Sequence, residues 1–129
     1  MELDGIQRFY KQNFRAAIGL YIGCYSFTEG KVYAPTQLLI AGKNDWTKHG
    51  RCSKSVEAGQ RNGSPISMVI YPDALHDFDD PGTGVETRLE LINQYKNPPI
   101  GVTLGYNGDA HAAAKDQVKL FLRQYLSAK

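Results

Sequence analysis

Residues 36–47 read TQLLIAGKNDWT. The apolar run extends from Thr36 to Ala41, Gly42 ends it, and the polar residues Lys43 to Asp45 follow. An uninterrupted run of this length is too short for an amphipathic helix and is typical of a strand buried on both faces. Two further runs, Ala16 to Ile22 and Ile66 to Tyr71, have the same character, and Gly23 and Pro72 end them. The sequence therefore predicts about three mainly parallel strands.

Three segments predict helices around these strands. Apolar residues at helical spacing indicate a helix over residues 3–14 and another from about 109 to 128. Residues 47–61 also look helical. Thr47 and Asp109 are the expected N-caps of the last two helices. Strands that alternate with helices predict an α/β fold with a parallel sheet, which we expect to form a single domain over residues 1–129.

Residues 72–108 form the longest stretch without a clear period, and they are rich in proline and glycine. Within them, residues 86–95 are expected to form a helical turn or two. Loops of this length in a compact domain are usually functional or disordered. This stretch follows the third strand, so it is expected to lie beside any site at that end of the sheet.

Composition excludes several classes of protein. Hydrophobic residues make up 42% and charged residues 22% of the chain, a globular balance. The net charge of +2 is too small to predict binding to nucleic acid or an anionic membrane. No apolar stretch approaches the roughly 18–20 residues that span a bilayer. The first residues, MELD, do not resemble a secretory signal, so a cytoplasmic location is expected.

The two cysteines, Cys24 and Cys52, match no zinc or redox motif. We expect reduced thiols that behave as small buried hydrophobic residues. His49 and Cys52 form an isolated His-x-x-Cys, which falls short of the ligand set that zinc requires. No metal site and no cofactor are expected.

The chemistry of the chain concentrates on Asp45 and His76, each of which follows a predicted strand. Functional groups in open parallel sheets gather at the carboxyl ends of strands. The 31 residues between them (76 − 45) leave room for one helix and one returning strand, which would bring both to the same sheet edge. A carboxylate that binds an imidazole fixes its tautomer and stabilises the imidazolium, as in a hydrolase triad.

Several segments resemble the dienelactone hydrolase family. They are FRAAIGLY (14–21), PTQLLIAGKNDWT (35–47), YPDALHDF (71–78) and GYN (105–107). The resemblance covers roughly residues 10–126 and the C-terminal half of the family's chain. It implies a partial α/β-hydrolase fold that acts on lactones or esters with a Cys or Ser nucleophile. It also implies that Asp45 and His76 are the catalytic acid and histidine, with Trp46 and Phe78 at the substrate.

The nucleophile is missing from this pattern. No Gly-x-Ser/Cys-x-Gly elbow is present, and in the family the elbow lies upstream of the strand that matches Ala16 to Ile22. Cys24 and Ser26 are poor substitutes because no glycine stands two residues after either one. One hypothesis is a hydrolase fragment in which Asp45 orients His76 and the nucleophile comes from elsewhere.

The alternative is a non-catalytic, truncated remnant that self-associates and keeps a pocket for a small carbonyl compound. In either case the strand Ala16 to Ile22 lacks a neighbour on one side, and such edges are usually covered or paired. A homodimer is therefore expected, through this strand, the helix over residues 3–14 or an exchanged element.

Overall fold

A computed structural model of the protein describes residues 14–25 and 28–127. The helix predicted over residues 3–14 lies almost entirely outside these ranges. The elements, in chain order, are β1 (Ala17–Leu20), β2 (Thr36–Ala41), α1 (Gly50–Arg61), β3 (Ile66–Tyr71), β4 (Glu86–Ile92), β5 (Ile100–Leu104) and α2 (Gly108–Leu126). The protein has an α/β fold, as predicted.

The three apolar runs form one parallel sheet in the order β1-β2-β3. In this sheet Leu38 lies opposite Gly19 on β1 and Met68 on β3. Parallel neighbours require a crossover connection, and α1 supplies it between β2 and β3. The sheet therefore places the carboxyl ends of β2 and β3 side by side.

The central strand β2 is buried along its whole length because both of its faces are covered. Successive side chains of a strand point to opposite faces. Leu38 and Ile40 pack with Cys52 and Val56 of α1 on one face. Leu39 and Ala41 pack on the other face in a cluster that includes Ala110 and Ala114 of α2. This two-sided burial explains why the strand lacks the polar alternation of a half-exposed sheet.

The helical turn expected at residues 86–95 is wrong. That segment is β4, which pairs antiparallel with β5 in a two-stranded sheet, so the described strands number five rather than three. The hairpin joins the main sheet through a parallel bridge between His76 and Leu104. Thr87, Leu89 and Leu91 alternate with charged residues along β4, a strand period that the helical interpretation overlooked.

Both predicted N-caps need correction. Helix α1 begins at Gly50 rather than at Thr47, because the Thr47 amide donates to Asn44 Oδ1 at 3.1 Å and holds residues 44–47 in a turn. Helix α2 is capped by Asn107, whose Oδ1 accepts from the Ala110 amide at 3.0 Å. Asp109 instead lies in the first turn, where its charge favours the helix dipole.

The expectation of reduced thiols is also wrong. Cys24 and Cys52 form a disulfide that closes a separation of 28 residues. Both side chains are buried, at 4% and 0% exposure, as expected. Disulfides are more typical of oxidising compartments, so this bond does not support the predicted cytoplasmic location. Within the described ranges, neither helix is long and apolar enough to cross a membrane.

Candidate functional site

The site lies where β2 and β3 end at the same edge of the parallel sheet. The turn after β2 carries Asn44 and Asp45, and the loop after β3 carries His76. The backbone joins the two segments, since the Lys43 amide donates to the Ala74 carbonyl at 2.9 Å. The predicted meeting of Asp45 and His76 at one sheet edge therefore follows from the parallel register.

Asp45 does not make the hydrogen bond that a triad acid makes. Its Oδ1 accepts from the Thr103 amide of β5 at 3.2 Å, and its Oδ2 forms an ion pair with Lys96 at 2.9 Å. The carboxylate is thus directed at the β4–β5 hairpin rather than at the histidine ring. The expected orientation of His76 by Asp45 is replaced by an attachment of the hairpin to the turn after β2.

The neighbouring residue, Asn44, contacts the histidine. The Asn44 side-chain nitrogen lies 3.0 Å from Nδ1 of His76. The Asn44 side chain is only 5% exposed, and its oxygen accepts from the backbone amides of Trp46 at 3.0 Å and Thr47 at 3.1 Å. This position at Nδ1 is where a hydrolase triad has its carboxylate. The amide therefore stands in the place that the sequence assigned to Asp45.

Aromatic rings surround His76. The ring centroid of Tyr21 is 4.3 Å away and that of Trp46 is 5.0 Å away. Trp46 is fixed by a 3.0 Å hydrogen bond from its indole nitrogen to the Ile92 carbonyl, so it forms a wall of the site. Phe78 is fully buried behind Tyr21, at 0% exposure. The predicted substrate contact at Phe78 stays a prediction, and in this structure the side chain presents no exposed surface to the site.

Burial governs the titration of this site. The His76 side chain is 14% exposed, and its burial lowers the pKa of the imidazole although Asp77, Asp79 and Asp45 each act to raise it. Burial, followed by the charges of Asp79 and Asp77, raises the pKa of Tyr21 to about 12. At neutral pH the site therefore presents a neutral imidazole and a protonated phenol beside carboxylates.

Two residues at the site have left-handed backbone conformations. Tyr21 has φ 39° and Asp77 has φ 61°. Aspartate tolerates this region comparatively well, whereas a bulky aromatic residue there is an outlier. Such conformations cost of order 1–3 kcal/mol each and cluster at functional sites. At Tyr21 the strained backbone places the ring against His76.

A surface cleft of about 420 Å³ lies beside this edge, lined by residues from Gly42 to Gly50 that include Asn44 and Asp45. The disulfide occupies both cysteines, so neither supplies a thiol nucleophile. In the part of the chain that the structure describes, no three His, Cys, Asp or Glu side chains are grouped to hold a metal ion. The titratable groups at this edge include the His76 imidazole, the Tyr21 phenol and the Asp45 carboxylate.

Sequence reasoning missed four residues of the site: Tyr21, Asn44, Lys96 and Thr103. Asn44 had a detectable signal, because an asparagine two or three residues before unpaired backbone amides commonly forms an Asx turn. Thr103 lies in an alternating segment, IGVTL, which was readable as a strand. Nothing local points to Lys96 or Tyr21, since their roles come from contacts distant in sequence.

No model of a protein family matches the chain, and no curated protein or solved structure matches it significantly.

Proposed function

We propose that this chain carries the acid- and histidine-bearing part of a dienelactone-hydrolase-like site for carboxylic esters or lactones, in a partial α/β-hydrolase fold. The observation that carries the proposal is the meeting of His76, after β3, with the Asn44–Asp45 turn, after the adjacent parallel strand β2. In the α/β-hydrolase arrangement the acid and the histidine follow the nucleophile in this chain order.

The surroundings of His76 support a small, uncharged carbonyl compound as the ligand. Three carboxylates, those of Asp45, Asp77 and Asp79, act on the imidazole, and they disfavour an anionic ligand. Trp46 and Tyr21 provide apolar ring surface next to the imidazole. An ester or lactone combines an apolar body with one hydrogen-bond-accepting carbonyl oxygen, which matches this arrangement.

Hydrolysis by this site requires a nucleophile that the described residues do not provide near His76. We propose that a Ser or Cys from a second polypeptide or a symmetry-related copy would supply it. The chain alone is then expected to turn over esters slower by orders of magnitude than a complete triad, because loss of the nucleophile removes the covalent step.

A second candidate function is non-catalytic binding of a small carbonyl compound. The orientation of Asp45 favours it, since the carboxylate is engaged by Lys96 and Thr103 rather than by the histidine. The chain would then retain the recognition surface of a hydrolase without its proton transfer.

One experiment separates the two candidates. The purified chain is incubated with an activated ester, such as a p-nitrophenyl ester, and product release is followed by absorbance. In parallel, a small lactone is titrated into ¹⁵N-labelled protein and amide shifts are recorded. Binding near His76 without turnover supports the second candidate, whereas turnover that disappears in His76→Ala supports catalysis.

The matched control is His111→Ala, which removes a histidine on α2, outside the site. Turnover that both variants retain would assign the hydrolysis to a contaminant or a surface group. If lactones shift no resonances at this edge and no ester is hydrolysed, the proposal as a whole fails.

We also propose that the protein is a homodimer. Strand β1 pairs with β2 on one side, and no other described strand lies on its outer side. An edge of this kind presents unpaired backbone groups that a second copy can satisfy. A monomeric mass by light scattering at micromolar concentration would contradict this proposal.

A further inference from the structure

The orientation of the Asn44 side chain is determined by its own hydrogen bonds. Its oxygen must be the atom that faces the turn, because the backbone amides of Trp46 and Thr47 both donate to it. The atom that faces His76 is therefore the NH₂ nitrogen, which can only donate. A flipped amide would place two donors against the backbone amides.

A donor at 3.0 Å from Nδ1 requires a lone pair on that ring nitrogen. We infer that Asn44, and not Asp45, is the positioning residue of His76, and that it holds the ring as the Nε2–H tautomer, so that His76 meets a carbonyl ligand as a hydrogen-bond donor. Asn44 acts through the histidine and touches no ligand itself.

This tautomer is the reverse of the one that a triad uses. A triad carboxylate accepts from Nδ1–H and leaves the lone pair on Nε2, where it takes the proton of the nucleophile. Replacing the triad aspartate of a serine protease by asparagine leaves the geometry intact but lowers kcat by about 10⁴, because the tautomer is wrong. In this chain the same amide-for-carboxylate arrangement places the proton on Nε2 in advance.

The charges around the ring do not overturn this assignment. Asp77 Oδ1 lies 3.7 Å from Nε2, and Asp79 and Asp45 also favour a protonated ring, but burial outweighs them and lowers the pKa of His76. The charge of Asp45 is offset by its ion pair with Lys96. A neutral ring at neutral pH has one N–H, and Asn44 decides which nitrogen carries it.

The ligand class rests on the proposed function. A neutral ester or lactone carbonyl is an acceptor only, so it pairs with Nε2–H and not with an unprotonated nitrogen. In this tautomer His76 is prepared to bind the carbonyl group, as the second candidate function requires, and abstraction of a proton by Nε2 would first require the ring to change tautomer.

The tautomer is measured on the free protein by long-range ¹H–¹⁵N correlation of the histidine rings at pH 7.5. The chain has three histidines, and the His76 signals are assigned by their loss in His76→Gln. The expected result is a protonated Nε2 and an unprotonated, imine-type Nδ1 for His76.

Two adjacent substitutions form a matched pair. Asn44→Asp keeps acceptor oxygens for the amides of Trp46 and Thr47, and it is expected to move the ring proton to Nδ1 and raise the pKa of His76. Asp45→Asn removes a carboxylate one residue away, and it is expected to leave the proton on Nε2.

A protonated Nδ1 in the unsubstituted protein would overturn the inference, and so would a tautomer change caused by Asp45→Asn. If Asn44→Asp does not fold, the unsubstituted spectrum and Asp45→Asn still decide the matter. The measurement needs no ester, so its failure is distinct from a failure to bind or hydrolyse one.

Discussion

The parallel sheet and the β4–β5 hairpin meet at His76, but their strands differ in how far they are buried. In the sheet, β2 is buried along its length between two helices. In β4 of the hairpin, large apolar side chains are exposed, with Leu89 at 65% and Ile92 at 75%, whereas Val102 and Leu104 of β5 are buried. Burial of apolar surface therefore stabilises the sheet and the inner strand β5, whereas β4 lies on the surface and polar contacts of Asp45 with Thr103 and Lys96 add to the attachment of the hairpin.

Two adjacent residues of the turn after β2, Asn44 and Asp45, contact these two regions separately. Asn44 reaches the histidine that follows the sheet, and Asp45 reaches Thr103 and Lys96 of the hairpin region. Two neighbouring side chains thus have different contacts: Asn44 binds the imidazole ring of His76, and Asp45 binds the hairpin.

Removing buried volume from the sheet is expected to have the largest effect. Leu38 is fully buried, so Leu38→Ala should lower the free energy of unfolding by about 2–5 kcal/mol. The matched variant in the hairpin, Leu89→Ala, should change it by no more than about 0.5 kcal/mol because the side chain is mostly exposed. Urea denaturation followed by circular dichroism measures both, and equal losses would refute the contrast.

Reducing the disulfide should have the next largest effect. The bond joins the loop after β1 to α1 and closes a separation of 28 residues, for which chain entropy predicts a loss of about 3–4 kcal/mol on reduction. Denaturation with and without dithiothreitol measures this difference. A Cys24→Ala/Cys52→Ala protein should be insensitive to the reductant, and a similar sensitivity in that variant would point to another cause.

The stability of the protein should fall in mildly acidic solution because of His76. Burial lowers the pKa of this histidine in the folded state, although Asp77, Asp79 and Asp45 oppose the shift. The unfolded chain then binds more protons, so stability is complete above the ordinary pKa of about 6.5 and is lost as pH falls from there to the folded-state pKa.

The comparison uses the free energies of unfolding at pH 7.5 and 5.5 for the native protein and for His76→Gln. The substitution should make the slope between these two pH values shallower. An unchanged slope would mean that another group is responsible for the acid sensitivity.

Removing the contacts of Asp45 with Lys96 and Thr103 should have the smallest effect on global stability and a local effect on the hairpin. The Asp45 and Lys96 side chains are 29% and 37% exposed, and ion pairs of this kind contribute roughly 0.2–1 kcal/mol. Asp45→Ala should therefore cost about 1 kcal/mol or less while it accelerates hydrogen exchange at the Thr103 amide. Exchange that is unchanged at Thr103 would show that other contacts hold the hairpin.

The sequence predicted the sheet well because its signals are local. The bounds of β2 and β3 were predicted as observed, and so was the position of Asp45 and His76 at one edge. The hydrogen-bond partner of His76 was not predictable in this way. The choice between Asn44 and Asp45 depends on the turn that Asn44 forms with two backbone amides, and apolar periodicity does not encode it.

The hairpin and the disulfide were missed for a different reason. In β4 the charged residues Glu86, Arg88 and Glu90 alternate with apolar or uncharged residues over only a few positions. Because the strand has no buried face, this short pattern resembled that of an exposed helical turn. Its pairing with β5 and the bond between Cys24 and Cys52 join segments that are distant in sequence. Such contacts depend on the tertiary structure, which local sequence patterns do not predict.

The backbone of His76 connects the proposed ligand site to the end of β5. Its carbonyl accepts from the Gly105 amide at 3.0 Å, and the residue bridges to Leu104 at the end of β5. Lifting the hairpin from the sheet would therefore displace the residue that is proposed to contact the ligand. A compound that binds the imidazole should therefore, by thermodynamic linkage, stabilise the paired state of the end of β5 and make its opening less frequent.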